Sequence, residues 1–390
     1  MGSHAIHIAA RVGSERSSIF DKMNRLAEET RSVNLGQGFP DFPAPDFLRN
    51  AALEVVRAGN EQYSRIAGEP TLREAVARYI ESRGGPYADF EHEVTITCGC
   101  QEALAATLLA LVDPGEEVIV FEPFFETYRL AVAMAGGVPR YVTLRPPDFA
   151  INEDELRRAF GPRTRAIIVN TPHNPTGRCF SRAELSMIAR LCHEYDVVAI
   201  TDEVYEELVF EGEHVRMASL EGMQPRTVTL SSLGKTFSVT GWKIGWAVAP
   251  RGITDAIRRV HQALAFSIAK PLQLAAVVAL AAPRAYFDEL GAAYRRRRDL
   301  LMAGLHKAGF TVFAPAGSYF LMADISSFGR GDDQDFCRFL ATQVGVVGIP
   351  SSFLYENRAE GSRMVRFAFC KTEELITEAI DRLAALGQRV

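Results

Sequence analysis

The stretch 231-SSLGKTFSVTGWK-243 places two lysines eight positions apart in a chain where only six of the 43 Lys and Arg residues are lysine. Arginine stays protonated and serves as a fixed fork of donors, whereas a lysine amine can lose its proton and attack a carbonyl carbon. Lys235 is therefore a candidate nucleophile, and Lys243 a candidate point charge for an anion. Groups of complementary chemistry occur elsewhere: Asp202 and Tyr205 in TDEVYEEL, Asn174 in NTPHNPTG, Ser232 just ahead of the lysine, and the turn Cys98-Gly99-Cys100-Gln101. A carboxylate can hold a proton on a ring nitrogen, and a phenol and an amide can hydrogen-bond an oxygen. Free backbone N–H groups at a helix start can hold a phosphate.

These groups share one setting. Short apolar runs alternate with helical patterns: VTIT (94–97), EVIVF (117–121), AIIVN (166–170), VVAIT (197–201), TVTLS (227–231) and WKIGWAVA (242–249). Strands apolar on both faces and separated by helices predict a mostly parallel sheet covered on both sides, a three-layer α/β domain over 45–283. In such sheets ligands gather beyond the carboxyl ends of the strands, where Cys100, Asn174, Asp202 and Lys235 all fall. The pattern then changes. A helical stretch from Arg284 to about Lys307 leads into TVF, SYFLMAD and SRMVRFAF strands interleaved with DFCRFLATQV and TEELITEAIDRLAAL helices. This predicts a smaller α+β domain from 17–44 and 284–390, including a helix over 18–29 with Ile19, Met23 and Leu26 on one face.

One ligand uses all of the strand-end groups: a phosphorylated, protonated heteroaromatic aldehyde, of which pyridoxal 5'-phosphate is the common example. Lys235 would form the reversible Schiff base that only an amine side chain can make. Asp202 would pair with the ring nitrogen, while Tyr205 and Asn174 would hydrogen-bond the ring oxygen. Ser232, Lys243 and the N–H groups of Cys100 and Gln101 would bind the phosphate.

The motifs NLGQGFPDFPAP, EPFFETY, NTPHNPTG, TDEVYEEL, SSLGKTFSVTGWKIGW and MVRFAF resemble, in order, those of class I pyridoxal-phosphate aminotransferases of fold type I. The nearest branch holds the glutamine/kynurenine, methionine and succinyldiaminopimelate aminotransferases. The resemblance implies Lys235 as the Schiff-base lysine and proton carrier, Asp202 as the ring-nitrogen partner and Phe125 as the ring stacked on the cofactor. It implies Arg366 as the fork for the substrate α-carboxylate, with Asn174 and the Gly36 backbone assisting, and Tyr63 as a phosphate ligand of the neighbouring subunit in a homodimer. Lys243 stands where many relatives carry arginine. The implied reaction moves an α-amino group from an L-amino acid to a 2-oxo acid; a cysteine-conjugate β-lyase would use the same cofactor. Two groups that kynurenine-type members use are replaced by Gln101 and by Ser267, next to Phe266. Methionine, phenylalanine, tyrosine and glutamine are thus the expected donors, with an aromatic wall from Phe124, Phe125, Phe266 and Tyr63. Aspartate and kynurenine should be poor, and succinyldiaminopimelate is the rival.

The bulk of the sequence agrees with a small-molecule enzyme. A net charge of −5 across 390 residues gives no electrostatic footprint for nucleic acid. The longest apolar run, Leu272 to Ala282, is too short to span a bilayer. The six cysteines form no C-x-x-C pair, which argues against a zinc site or a disulfide scaffold and for the cytoplasm. His173 and the Cys192-His193 pair lack matching ligand spacing, so no metal is expected. Arg295 to Arg298 read as a solvated helix face.

Overall fold

The computed structural model describes residues 9, 11, 18–384 and 386; Ser17, Ala385 and residues 387–390 of the expected smaller unit lie outside them. Thirteen strands occur among the described residues. In chain order they are β1 Val33–Asn34, β2 Val94–Cys98, β3 Glu117–Glu122, β4 Val138–Thr143, β5 Thr164–Asn170, β6 Val198–Asp202 and β7 Thr227–Ser232. They continue as β8 Ile244–Val248, β9 Thr311–Phe313, β10 Phe320–Asp324, β11 Val346–Val347, β12 Ile349–Pro350 and β13 Met364–Ala368.

Seven strands form one sheet in the order β2-β8-β7-β6-β5-β3-β4. The run from β7 to β4 is parallel, and β8 lies antiparallel between β2 and β7. Alternation along the central strands explains the three layers. Val118, Val120, Ile168 and Ile200 join one apolar cluster with the helices Gly99–Leu111 and Thr127–Met134, whereas Ile119, Phe121, Ile167 and Ala199 join another with the helix Arg182–Glu194. Both faces are buried, so the strands read as continuous apolar runs.

A four-stranded antiparallel sheet, β12-β13-β10-β9, and a parallel pair, β1-β11, form the smaller structure. Its core unites Leu321, Val365 and Phe367 of the sheet with Leu301 and Leu305 of the helix Arg284–Lys307 and Ile376 and Ala379 of the helix Glu373–Leu383. The first long helix, Ile19–Thr30, buries Ile19, Met23 and Ala27, with Leu26 only partly covered.

Three features differ from expectation. The edge strand β4 went unread because VPRYVT is largely exposed or half-buried and carries a proline, which suits only an edge. The stretch DFCRFLATQV is α-helical only to Phe339 and then relaxes into a π turn that Gly345 ends at φ 82°. The arginine cluster is a solvated face only in part, with Arg295 and Arg296 exposed and Arg298 turned inward. Arg298 is 7% exposed and binds Glu211, Asp299 and the Pro315 carbonyl, while Arg297 lies over Phe42 and Arg295 donates to the Phe210 carbonyl. The apolar run became the helix Lys270–Leu280, and no described helix is long and apolar enough to cross a membrane.

Candidate active site

A cavity of about 420 Å³ opens at the carboxyl ends of the parallel strands and is lined by Cys100, Gln101, Phe125, Asn174, Asp202, Tyr205, Ser232, Lys235, Lys243 and Arg366. These ten come from distant points of the sequence, so their meeting is a property of the topology. Lys235 sits in the one-turn helix Leu233–Thr236 directly after β7, with its amine 5.9 Å from the Tyr205 ring centre and 5.8 Å from that of Tyr319. Burial pushes this amine below the usual lysine range, against the pull of Cys370, Asp202 and Cys100. A neutral amine is the nucleophilic form.

Asp202 ends β6 and is 8% exposed. Burial raises its carboxyl above the usual range, and donated hydrogen bonds from Tyr128, Val204 and Cys100 oppose that rise. The Tyr128 hydroxyl donates at 2.7 Å to one carboxylate oxygen and the Val204 N–H at 3.3 Å to the other. Asn174 is set by Asn170, whose side-chain oxygen accepts from the Asn174 N–H at 2.7 Å and whose amide donates to the Asp202 carbonyl at 2.9 Å.

Arg366 projects from β13 and is 2% exposed. It donates to the Asn174 side-chain oxygen at 3.1 Å and to the Gly36 carbonyl at 2.7 Å, with its guanidinium carbon 4.1 Å from the Phe320 ring centre. Its Nε has no partner, and burial pushes its pKa down to about 10. A buried guanidinium held only by neutral acceptors is under-compensated, and an incoming carboxylate is the anion that completes it.

The start of the helix facing Lys243 is equally specific in shape. Gly99, at φ 71°, starts the 13-residue helix Gly99–Leu111, and a Cβ there would sit 3.2 Å from the Lys243 amine. A Cβ on Gly245 of the neighbouring strand would come within 2.4 Å of the Gly99 carbonyl carbon and 2.6 Å of the Cys100 nitrogen. Two glycines thus hold the helix start and its N–H groups against Lys243, a cradle for a dianion. The amine, the carboxylate and this cradle together fit pyridoxal phosphate.

Some residues fall elsewhere. Phe124, expected in the aromatic wall, is 2% exposed and stacks on Tyr141 in the core; Phe20, Phe39 and Phe320 line the cavity instead. Tyr63 and Phe266 lie outside the cavity and pack edge to face at 5.3 Å, with Tyr63 82% exposed. His173 is structural: its Nδ1 meets the Thr176 hydroxyl at 2.8 Å, and burial lowers its pKa to about 3. Sequence reasoning passed over Tyr128, Asn170, Ser18 and Glu126. Asn170 was findable as the last residue of a strand, and Tyr128 as the second residue of the helix that follows Phe125. Away from the cavity, Glu203, Glu206 and His214 lie close enough to share an ion, yet the Arg216 guanidinium already stands between the two carboxylates and pairs with both.

Residues 30–383 match the family model for aminotransferase class I and II. The chain is 42% identical to a probable N-succinyldiaminopimelate aminotransferase of Mycobacterium tuberculosis over 384 residues, covering 96% of this chain and 97% of that protein. A solved structure of N-succinyldiaminopimelate aminotransferase from Mycobacterium tuberculosis aligns with TM-score 0.95 at 42% identity, covering 97% of this chain and 100% of that one. The methionine aminotransferase of Escherichia coli is 36% identical over 371 residues, covering 95% of this chain and 96% of the relative.

Proposed function

This chain belongs to the aminotransferase class I and II family, and from that membership we propose how its own residues divide the work. The enzyme is a pyridoxal-phosphate-dependent aminotransferase acting on amino acids and 2-oxo acids. When bound, the cofactor supplies an aldehyde carbon that links to amines and a ring that accepts electrons from the substrate Cα. Lys235 holds that aldehyde carbon. Once displaced by the donor's amine, Lys235 would take the Cα proton as a base and deliver it as an acid, on the same face, to the cofactor carbon that had carried the aldehyde. Asp202 keeps the ring nitrogen protonated, Tyr205 and Asn174 hydrogen-bond the ring oxygen, and Phe125 covers the ring. Ser232, Lys243 and the N–H groups of Cys100 and Gln101 hold the phosphate. Arg366 grips the α-carboxylate, with Asn174 and Gly36 setting its angle.

The observation that carries this assignment is the convergence of a buried amine, a buried carboxylate, an anion cradle and an under-compensated arginine on one cavity. It also suggests a division of labour in which 45–283 holds the cofactor, while 17–44 and 284–390, which carry Gly36 and Arg366, close on the substrate. Arg366→Lys should raise KM for the donor by at least about tenfold with a smaller effect on kcat, because an ammonium cannot reproduce the planar fork. Steady-state kinetics with saturating 2-oxo acid measure this, and an unchanged KM would remove Arg366 from the carboxylate site.

The donor is read as an amino acid with a neutral side chain. Among the described cavity-lining residues the cations are Lys235, Lys243 and Arg366, each already engaged, and the charge left over is the Glu126 carboxylate. A distal carboxylate on the donor would be unpaired and would face Glu126, a cost that methionine, phenylalanine, tyrosine and glutamine avoid. The 42% identity to a succinyldiaminopimelate aminotransferase favours a second reading, in which the neighbouring subunit supplies the missing cation. A donor panel with one fixed 2-oxo acid separates them. Methionine should exceed aspartate by more than about tenfold in kcat/KM, roughly 1.4 kcal/mol; aspartate or an N-succinylated diamino acid ahead by that margin would refute the neutral-donor reading.

A homodimer fits the exposed Tyr63 and Phe266, which have no place in their own cavity and are suited to reach a partner's phosphate site and substrate wall. Six free cysteines suit the reducing cytoplasm.

A further inference from the structure

Asp202 is held from several sides. The Tyr128 hydroxyl lies 2.7 Å from Oδ2 and the Val204 N–H 3.3 Å from Oδ1, and the neighbouring Cys100 thiol also favours the ionised carboxylate. The titratable groups facing the carboxylate are Tyr128, Cys100 and Lys235 from three helices and Tyr205 from the turn after β6. Tyr128 is 3% exposed, and burial keeps its phenol protonated, so its O–H is a donor and the carboxylate an acceptor. The same ring stands edge-on to Phe125, with centroids 5.8 Å apart and planes at 86°. One side chain on the helix Thr127–Met134 therefore touches both the group assigned to the ring nitrogen and the group assigned to the ring face.

We propose that Tyr128 is a positioning residue for transamination: its hydroxyl holds the Asp202 carboxylate ionised and aimed at the cofactor's ring nitrogen, while its ring braces Phe125. The inference rests on the reading of Asp202 given above. A carboxylate that accepts a hydrogen bond on one oxygen competes less strongly for the proton it shares with the pyridine nitrogen, so the proton stays on the ring. It also has fewer orientations open to it. The Val204 and Cys100 contacts share the load, which is why removing the hydroxyl alone should weaken catalysis rather than end it.

Tyr128→Phe in the holoenzyme deletes the hydroxyl and keeps the ring. The expected kcat is about tenfold lower, with KM for methionine within about twofold of the parent, since the lost interaction acts on the cofactor and not on substrate binding. The second readout is the pH midpoint of the holoenzyme's visible absorbance change, measured without substrate. A less positive ring lowers the proton affinity of the nitrogen joining it to Lys235 less than before, so the midpoint should move up by about half a unit or more. Cys100→Ala, which removes another partner of the same carboxylate, should move it in the same direction. Tyr128→Phe that titrates and turns over like the parent overturns the inference, as does a fall in kcat with an unmoved midpoint and a lowered Tm, the mark of packing alone. If Asp202→Asn is crippled while Tyr128→Phe is silent, only this inference fails; if Asp202→Asn is itself silent, the reading of Asp202 fails with it.

Discussion

Lys235→Ala should abolish transamination, with kcat at least about 10⁴-fold below the parent, while the chain still folds. The magnitude follows from two losses at one position. The variant has no amine to hold the cofactor's aldehyde carbon, and it has no group to take and return the Cα proton, a role worth about 10²–10⁴-fold by itself. The fold should survive because Lys235 occupies a single helical turn whose neighbours Leu233 and Thr236 carry the burial, and its own amine sits at the cavity rather than in a hydrogen-bonded network of the core. Removing a buried amine also removes a desolvation cost. Stopped assays over hours, with unchanged circular dichroism and Tm, test the expectation; turnover near the parent's would place the chemistry on another residue.

Asp202→Asn costs at least about 10³-fold in kcat, roughly 4 kcal/mol of transition-state stabilisation. The substitution preserves size and most contacts, so the effect is electrostatic. An amide cannot balance a positive ring nitrogen, and in a water-poor pocket that missing charge is felt more strongly than it would be in solution. Tyr128 and Val204 aim their donors at the two Asp202 oxygens, and after the substitution one of those donors faces an amide N–H₂. The protein should therefore also lose some stability, by about 1–3 kcal/mol. Kinetics over a range of donors check the first effect and thermal unfolding the second. A kcat within tenfold of the parent would mean that the ring nitrogen is balanced by another group.

The parallel part of the large sheet was legible because its strands are buried on both faces, and a run such as AIIVN has no competing reading when helical patterns flank it. The positions of Cys100, Asn174, Asp202 and Lys235 followed from that sheet, since each stands at a strand end or within a few residues beyond it. What escaped notice was contact between side chains brought together by the fold. Tyr128 and Asp202 are 74 positions apart, and no local pattern couples them. Ser18 and Glu126 are 108 apart, with the Ser18 hydroxyl donating to the Glu126 carboxylate at 2.6 Å beside the cavity. Phe124 shows the opposite failure. It neighbours a cavity residue, but its side chain points to the other side of the chain and packs into the core. Arg298 was misread for a related reason: Glu211, whose carboxylate it meets at 3.0 Å, stands 87 positions away in sequence.

The central claim is that Lys235, and no other lysine, carries the cofactor. With only six lysines in the chain, the claim can be tested by one mapping experiment. Holoenzyme reduced with borohydride, digested and read by mass spectrometry should show one pyridoxyl-phosphate label per chain, on the peptide spanning SSLGKTF and fragmenting at Lys235, with the visible band lost in parallel. A label on Lys243, or on any of the other lysines with Lys235 unmodified, would contradict the account.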